Sequence, residues 1–154
     1  MSRPSAAAPE VLIRPAAASE RAAIERFVAA VGHEVYGHLF AGRPPRPEGK
    51  WAQALVAEVD GRLVGVMVSD DDWIEDLWVA ADYRRQGVGG RLLAAGERQI
   101  AARGGTLAYL RVIAENGAAR RFYARHGWAD AEVYPHERWG FAMVDMIKRV
   151  AGAG

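Results

Sequence analysis

Short runs in which apolar and polar residues alternate are separated by stretches in which apolar residues return every three or four positions, the periods of half-buried strands and of amphipathic helices. VLIRPA, residues 11–16, reads as a first strand. Ser19 and Glu20 then announce a helix with an apolar face through Ala22, Ile24, Phe27 and Val31. A second helical piece holds Val35, Tyr36, Leu39 and Phe40, and residues 41–50, AGRPPRPEGK, carry too many prolines and charges for anything but a loop. In ALVAEVDGRLVGVMV, residues 54–68, two apolar runs flank Asp60-Gly61, the dipeptide of a tight primed hairpin turn. Ser69 to Asp72 form another turn before a strand at 73–79. A helix at 88–103 ends near Gly104-Gly105, residues 106–113 form the next strand, and a helix at 116–126 is stopped by Gly127. Two last strands are expected at 128–134 and around 140–148. Strands before, between and after helices imply an α/β fold, a mixed sheet covered by helices.

The segment WIEDLWVAADYRRQGVGGRLL, residues 73–93, sets a short acidic strand directly before an arginine- and glycine-rich turn that opens an apolar helix. Gly87, Gly89 and Gly90 strip side chains from the turn, so its N–H groups can face an anion at the positive end of the helix dipole. Arg84, Arg85 and Arg91 add positive charge around this cradle. It is not a P-loop: Leu92 and Leu93 follow the glycines, and the only lysines are Lys50 and Lys148. Nor is it a dinucleotide fingerprint, because Leu92 stands where the third glycine belongs.

Composition narrows the partners. A chain of 154 residues, 51% apolar, suits one domain, expected over 11–150 behind a flexible tail at 1–10. Twenty basic residues against 19 acidic ones leave a formal charge of +1, which offers no global field for nucleic acid or an anionic membrane. With no cysteine there is neither a disulfide nor a thiol nucleophile. The histidines at 33, 38, 126 and 136 lack metal-ligand spacing apart from the weak pair His33 and His38, so no metal is expected. No apolar run is long enough to cross a bilayer and MSRPSAAAPE lacks the apolar stretch of a secretion signal, which sets the expectation of a cytoplasmic protein.

Two motifs then carry a family resemblance. Arg84, Gly87 and Gly89 fit the pattern Arg/Gln-x-x-Gly-x-Gly/Ala, and Asn116, Ala119, Tyr123, Gly127 and Trp128 fit N-x-x-A-x-x-x-Y-x-x-x-G-F/W. In this order, behind the strand IEDLWV, they resemble the GNAT acetyltransferase superfamily. The resemblance implies a mixed, mostly antiparallel sheet with a splayed strand pair, flanked by about four helices. It also implies acetyl-CoA as cofactor. The main chain of Leu77, Trp78 and Val79 would hold the pantetheine arm. Arg84, Arg85, Gln86, Gly87, Val88, Gly89, Gly90 and Arg91 would hold the diphosphate, and Asn116 with Ala119 would bind where the strands part.

The same resemblance assigns chemistry. Tyr123 lies beside the sulfur in such proteins; a tyrosine of reference pKa about 10 stays protonated at neutral pH and can protonate a departing thiolate. The acidic strand is similar to the YLEDFFV-type strand of spermidine/spermine acetyltransferases, where the glutamate is the base, which makes Glu75 the general base with Asp76 in competition. Alternation turns only one of the two toward the acyl group unless a bulge redirects both. Tyr36, Glu75 and Asp76, with His38 and Trp51, would wall the acceptor site. The expected activity is direct acetyl transfer to a primary amine, of a small molecule, through a ternary complex. A coenzyme A-binding module without turnover and a protein N-terminal or lysine acetyltransferase are the alternatives. A homodimer would pair the late strands, Phe141 to Ile147, across chains.

Overall fold

The structure, a computed structural model, describes residues 10–40 and 49–151. Its strands are β1 (Leu12–Pro15), β2 (Leu55–Val59), β3 (Arg62–Asp70), β4 (Trp73–Val79), β5 (Leu107–Ile113), β6 (Ala129–Pro135) and β7 (Ala142–Arg149). Its α-helices are α1 (Arg21–Tyr36), α2 (Val88–Ala102) and α3 (Gly117–Arg125). Among the described residues four single-turn 3-10 segments accompany them, at Ala18–Glu20, Gly37–Leu39, Trp51–Gln53 and Ala81–Tyr83. The expected second helical piece at 35–40 is therefore the last turn of α1 continued by a 3-10 turn. Most of the tail at 1–10 and of the loop at 41–50 lies outside the described residues.

The strands form one sheet in the order β1-β2-β3-β4-β5-β7-β6, antiparallel throughout except for the β4–β5 pair. The β2–β3 hairpin turns at Asp60 and Gly61, both at positive φ (50° and 76°), as a primed turn requires. Ile24 and Val28 of α1 pack with Val56, Val66 and Val68 on one face of the sheet. Leu92, Leu93 and Ile100 of α2 pack with Met67, Ile74 and Leu110 on the other. None of the described helices is long and apolar enough to cross a membrane.

Two irregularities prepare a site. The parallel β4–β5 ladder holds only Trp73 opposite Tyr109 and Ile74 opposite Leu110, after which the strands part. Each strand stays paired on its far side: β4 with β3 as far as Val79, and β5 with β7 from Leu107 to Ile113. The result is a fork whose two arms are each paired on the outer side. The second irregularity is a bulge in β4, where Ile74 faces Ser69 and Asp76 faces Val68, so Glu75 is the extra residue. It shifts the phase of the strand: Ile74, Leu77 and Val79 pack toward α2, while Trp78 packs toward α1.

The late strands are arranged differently from expectation. β7 lies between β5 and β6 and is paired on both sides, so residues 141–147 have no free edge to offer a second chain. The open edges of the sheet belong to β1 and β6. An internal strand cannot donate its ladder twice, and the dimer through this segment is corrected on that ground.

Leu92 is fully buried between α2 and the sheet. Leu92→Ala is expected to lower unfolding free energy by about 2–5 kcal/mol, read as a shift in urea midpoint at unchanged slope.

Candidate active site

The fork opens into a cleft of about 720 Å³. Residues 75–79 of β4 line one side, Leu110 to Val112 of β5 the other, with Asn116, Ala119 and Tyr123 of α3 over the gap. The end of α1 and the turn before α2 complete the wall.

At the turn, Gly87 adopts φ 85°, a left-handed conformation that reverses the chain into α2 without a side-chain cap. The first main-chain bond of the helix runs from Arg91 N–H to the Gly87 carbonyl at 3.0 Å. The N–H groups of Val88, Gly89 and Gly90 have no acceptor among the described residues and point out of the helix end. A Cβ on Gly90 would lie 2.9 Å from His126 Nε2. The His126 ring donates from Nδ1 to the Phe122 carbonyl at 2.8 Å, which leaves Nε2 over the first turn of α2.

The three arginines of the motif differ in what they do. Arg84 donates to Glu34 at 2.5 Å and to the Val79 carbonyl at 3.2 Å, binding the turn to α1 and to the end of β4. Arg91 reaches away to the Val11 carbonyl at 3.0 Å and does not line the cleft. The Gln86 side chain turns back onto the Asp82 carbonyl at 2.7 Å. Arg85 does line the cleft, and Arg121 and Arg125 of α3 face it with His126, the C-cap of that helix. Positive charge around the cradle thus comes from two elements, of which the sequence pattern showed one.

At the other end of the gap several polar groups are partly desolvated. Tyr123 packs on Phe122 and Trp128, and its hydroxyl makes no hydrogen bond with any described residue. Burial, with smaller contributions from nearby Tyr36 and Asp76, pushes this phenol well above its ordinary range, so it stays a proton donor. Tyr36 accepts a hydrogen bond from Asn116 Nδ2 at 2.9 Å, and Asn116 Oδ1 caps α3 by accepting from Ala119 N–H at 3.1 Å. Both ends of the Asn116 amide are therefore engaged within the protein. Burial raises the Tyr36 pKa against the lowering effect of that bond. The Tyr36 ring meets Trp78 edge-on at 6.2 Å, and the Trp78 indole donates to Asp76 Oδ1 at 3.0 Å. Asp76 is half-buried, and burial raises its pKa above the ordinary value, helped by Glu75 and opposed by the Trp78 bond. Glu75 itself is exposed at the mouth.

Leu77, Trp78 and Val79 lie along the gap, as do Glu75, Asp76, Asn116, Ala119, Tyr123 and Tyr36. Two expected acceptor contacts lie elsewhere. Trp51 is only 3% exposed and belongs to the core beneath α1, and His38 pairs with Glu115 at 3.4 Å outside the cleft. Five ionisable lining residues escaped sequence reasoning: Glu34, Arg111, Arg121, Arg125 and His126. Arg111 alone had a visible signal, a solitary charge in the apolar strand TLAYLRVI. Among the described residues no group of three or more histidines and carboxylates is placed to hold a metal.

Residues 17–150 match the acetyltransferase (GNAT) domain family, and the chain belongs to it. An uncharacterized N-acetyltransferase of Archaeoglobus fulgidus is 33% identical over 81 residues, 46% of this chain and 55% of that relative, so the match spans about half of the relative's length. The ribosomal-protein-alanine N-acetyltransferase of Brucella melitensis superposes with a TM-score of 0.73 at 19% identity, over 90% of this chain and 99% of its own. A Salmonella typhimurium protein solved with its cofactor acetyl-CoA superposes with a TM-score of 0.69 at 18% identity, over 94% of this chain and 96% of its own. At such identities these two structures speak for the fold. Acetyl-CoA is the acyl donor of GNAT acetyltransferases.

The open amides give a direct test. Gly90→Val is expected to retain the far-UV circular dichroism of the parent while weakening acetyl-CoA binding at least about tenfold in calorimetry, ~1.4 kcal/mol, because a branched side chain displaces the His126 ring from its place over the first turn.

Proposed function

We propose that this GNAT-family chain transfers an acetyl group from acetyl-CoA directly to the primary amine of a small molecule, within a ternary complex. The observation that carries the reading is the β4–β5 fork, with unsatisfied first-turn amides at one end and the Asp76–Tyr123 cluster at the other. The fit to the donor is chemical. Three N–H groups without acceptors suit a diphosphate, and the unpaired edge of β4 from Glu75 to Val79 offers main-chain groups to the amides of a pantetheine arm. Acetyl-CoA supplies the activated acyl group as a thioester.

The chain's own residues supply proton handling. The exposed carboxylate of Glu75 at the mouth attracts a cationic acceptor. Asp76, held by the Trp78 indole and raised in pKa by burial, accepts the ammonium proton as the amine attacks. This reading moves the base from Glu75, the choice from sequence, to its neighbour, because only Asp76 is oriented and partly dehydrated. Tyr123 keeps its phenolic proton until the thioester C–S bond breaks and hands it to the departing thiolate, and the second proton shed by the acylated nitrogen restores the phenol. The chain contains no cysteine to carry the acetyl group, which favours direct transfer over a two-step route.

Tyr123→Phe and Asp76→Asn are each expected to lower kcat by about 10²–10⁴-fold in a thiol-release assay with an amine panel, while acetyl-CoA binding by calorimetry persists. Acetyl-CoA binding with no thiol release from the parent on any amine would replace the enzyme by a coenzyme A-binding module.

Asp76 also makes a stability prediction. Its folded-state pKa is raised, so its contribution is complete below the unfolded value and is lost as pH rises through the folded one. Asp76→Asn should therefore raise Tm at pH 7 and bring no such gain at pH values where the carboxyl is protonated in both states.

A further inference from the structure

We infer that Arg111 receives a carboxylate on the acceptor, so that the substrate class is an amine bearing its own carboxylate, an amino acid. The inference rests on the acetyltransferase reading above and deepens it. Position is the first argument. The last pair before the fork is Ile74 with Leu110, so Glu75 on β4 and Arg111 on β5 are the first residues past the parting point, one on each arm. Both line the cleft. The two arms thus present opposite charges at the place where an attacking amine must arrive, a carboxylate for an ammonium and a guanidinium for an anion.

The second argument is that Arg111 is loosely held. Its guanidinium lies 5.9 Å from the ring centre of Trp73 and 5.5 Å from that of Tyr134, which orient it without consuming its donors. The carboxylate beside it is Asp145, at 3.5 Å from Nε, and that group already accepts the Tyr134 hydroxyl at 2.6 Å. Arg111 leans on Asp145 through a long ion pair and on the Tyr134 hydroxyl, makes no short hydrogen bond to a described residue, and keeps its side chain 54% exposed. Arg14 in the same chain shows the contrast: it grips Glu20 through two nitrogens at 2.7 and 2.9 Å and Glu58 through a third at 3.1 Å. That is an arginine occupied by structure. Arg111 has a planar fork of five donors, held between aromatic rings on the wall of a cleft, and such a fork matches a carboxylate in two-point contact.

The third argument is the direction in which it faces. Ala108, Leu110 and Val112 of β5 enter the core beneath α2, so by alternation Tyr109 and Arg111 occupy the opposite face, the one toward which β4 turns Trp78. The guanidinium therefore stands on the side of the sheet away from α2 and its open first turn. That separates it from the anion cradle and assigns it to a different anion.

Thiol-release kinetics on three matched acceptors test this: an α-amino acid, its carboxamide, and the alkylamine lacking the carboxyl group. The parent is expected to prefer the amino acid over its carboxamide at least about tenfold in kcat/KM, ~1.4 kcal/mol, expressed in KM. Arg111→Met should bring that ratio close to one, and Arg111→Lys, which keeps the charge and loses the fork, should leave an intermediate ratio. Calorimetry of the N-acetyl amino acid against its carboxamide should show the same ratio in binding, without any turnover. A parent that treats carboxylate and carboxamide alike, or an Arg111→Met variant that loses rate while preserving the ratio, overturns the inference and leaves acetyl transfer standing. Acetyl-CoA binding without acetylation of any acceptor removes both.

Discussion

The site depends on a ladder of main-chain hydrogen bonds that stops early. A parallel strand pair in the middle of a sheet ordinarily satisfies every peptide group along its length, because buried N–H and C=O groups left alone are costly. Here β4 and β5 share only two register pairs before diverging, and each stays paired on its outer side, β4 with β3 across the bulge at Glu75 and β5 with β7. The unpaired peptide edge is a binding surface made by topology, and it requires no particular side chains. This explains why side-chain identity along β4 is free to serve other ends, with Leu77 and Val79 anchoring the strand in the core while Glu75 and Asp76 carry charge.

The bulge at Glu75 is the second constraint, because it decides which faces these side chains take. With strict alternation Ile74, Asp76 and Trp78 would share a face; the extra residue sends Ile74 into the α2 core and leaves Asp76 with Trp78 on the α1 side. Asp76 is then partly dehydrated beside Tyr36 and Tyr123, and burial raises the pKa of all three groups. A carboxylate kept in such company is destabilising in the resting fold and useful in proton transfer, the usual trade between stability and activity.

Much of this was legible in the sequence because it rests on local rules. The period-2 runs gave the hairpin about Asp60-Gly61 and the strand at 73–79, and the glycine spacing gave the turn into α2 with its free amides. The pairing of that turn with Asn116, Ala119 and Tyr123 gave the family, because two spaced motifs in order are far less ambiguous than one. What was not legible was set by long-range register. Whether Arg84 and Arg91 face a ligand or the protein depends on Glu34 and Val11, distant in sequence, and neither helix periodicity nor spacing encodes those contacts. The interior place of β7 depends on the chain returning between β5 and β6, which the alternation of Ala142 to Arg149 does not reveal. Trp51 was misplaced for a similar reason: an aromatic after a proline-rich loop reads as a surface wall until Ile24 and Val28 are seen to cover it.

The guanidinium of Arg84 ties three walls of the cleft together, through Glu34 on α1, the backbone at the end of β4, and its own turn. The ion pair is 39% and 48% exposed on its two sides, so water and dissolved ions reach it. At ordinary ionic strength the screening length is about 8 Å, and surface pairs of this kind lose much of their attraction as electrolyte is added. The wall of the cleft at the turn before α2 thereby loosens as electrolyte is added, while the β4–β5 fork, held by strand ladders, does not.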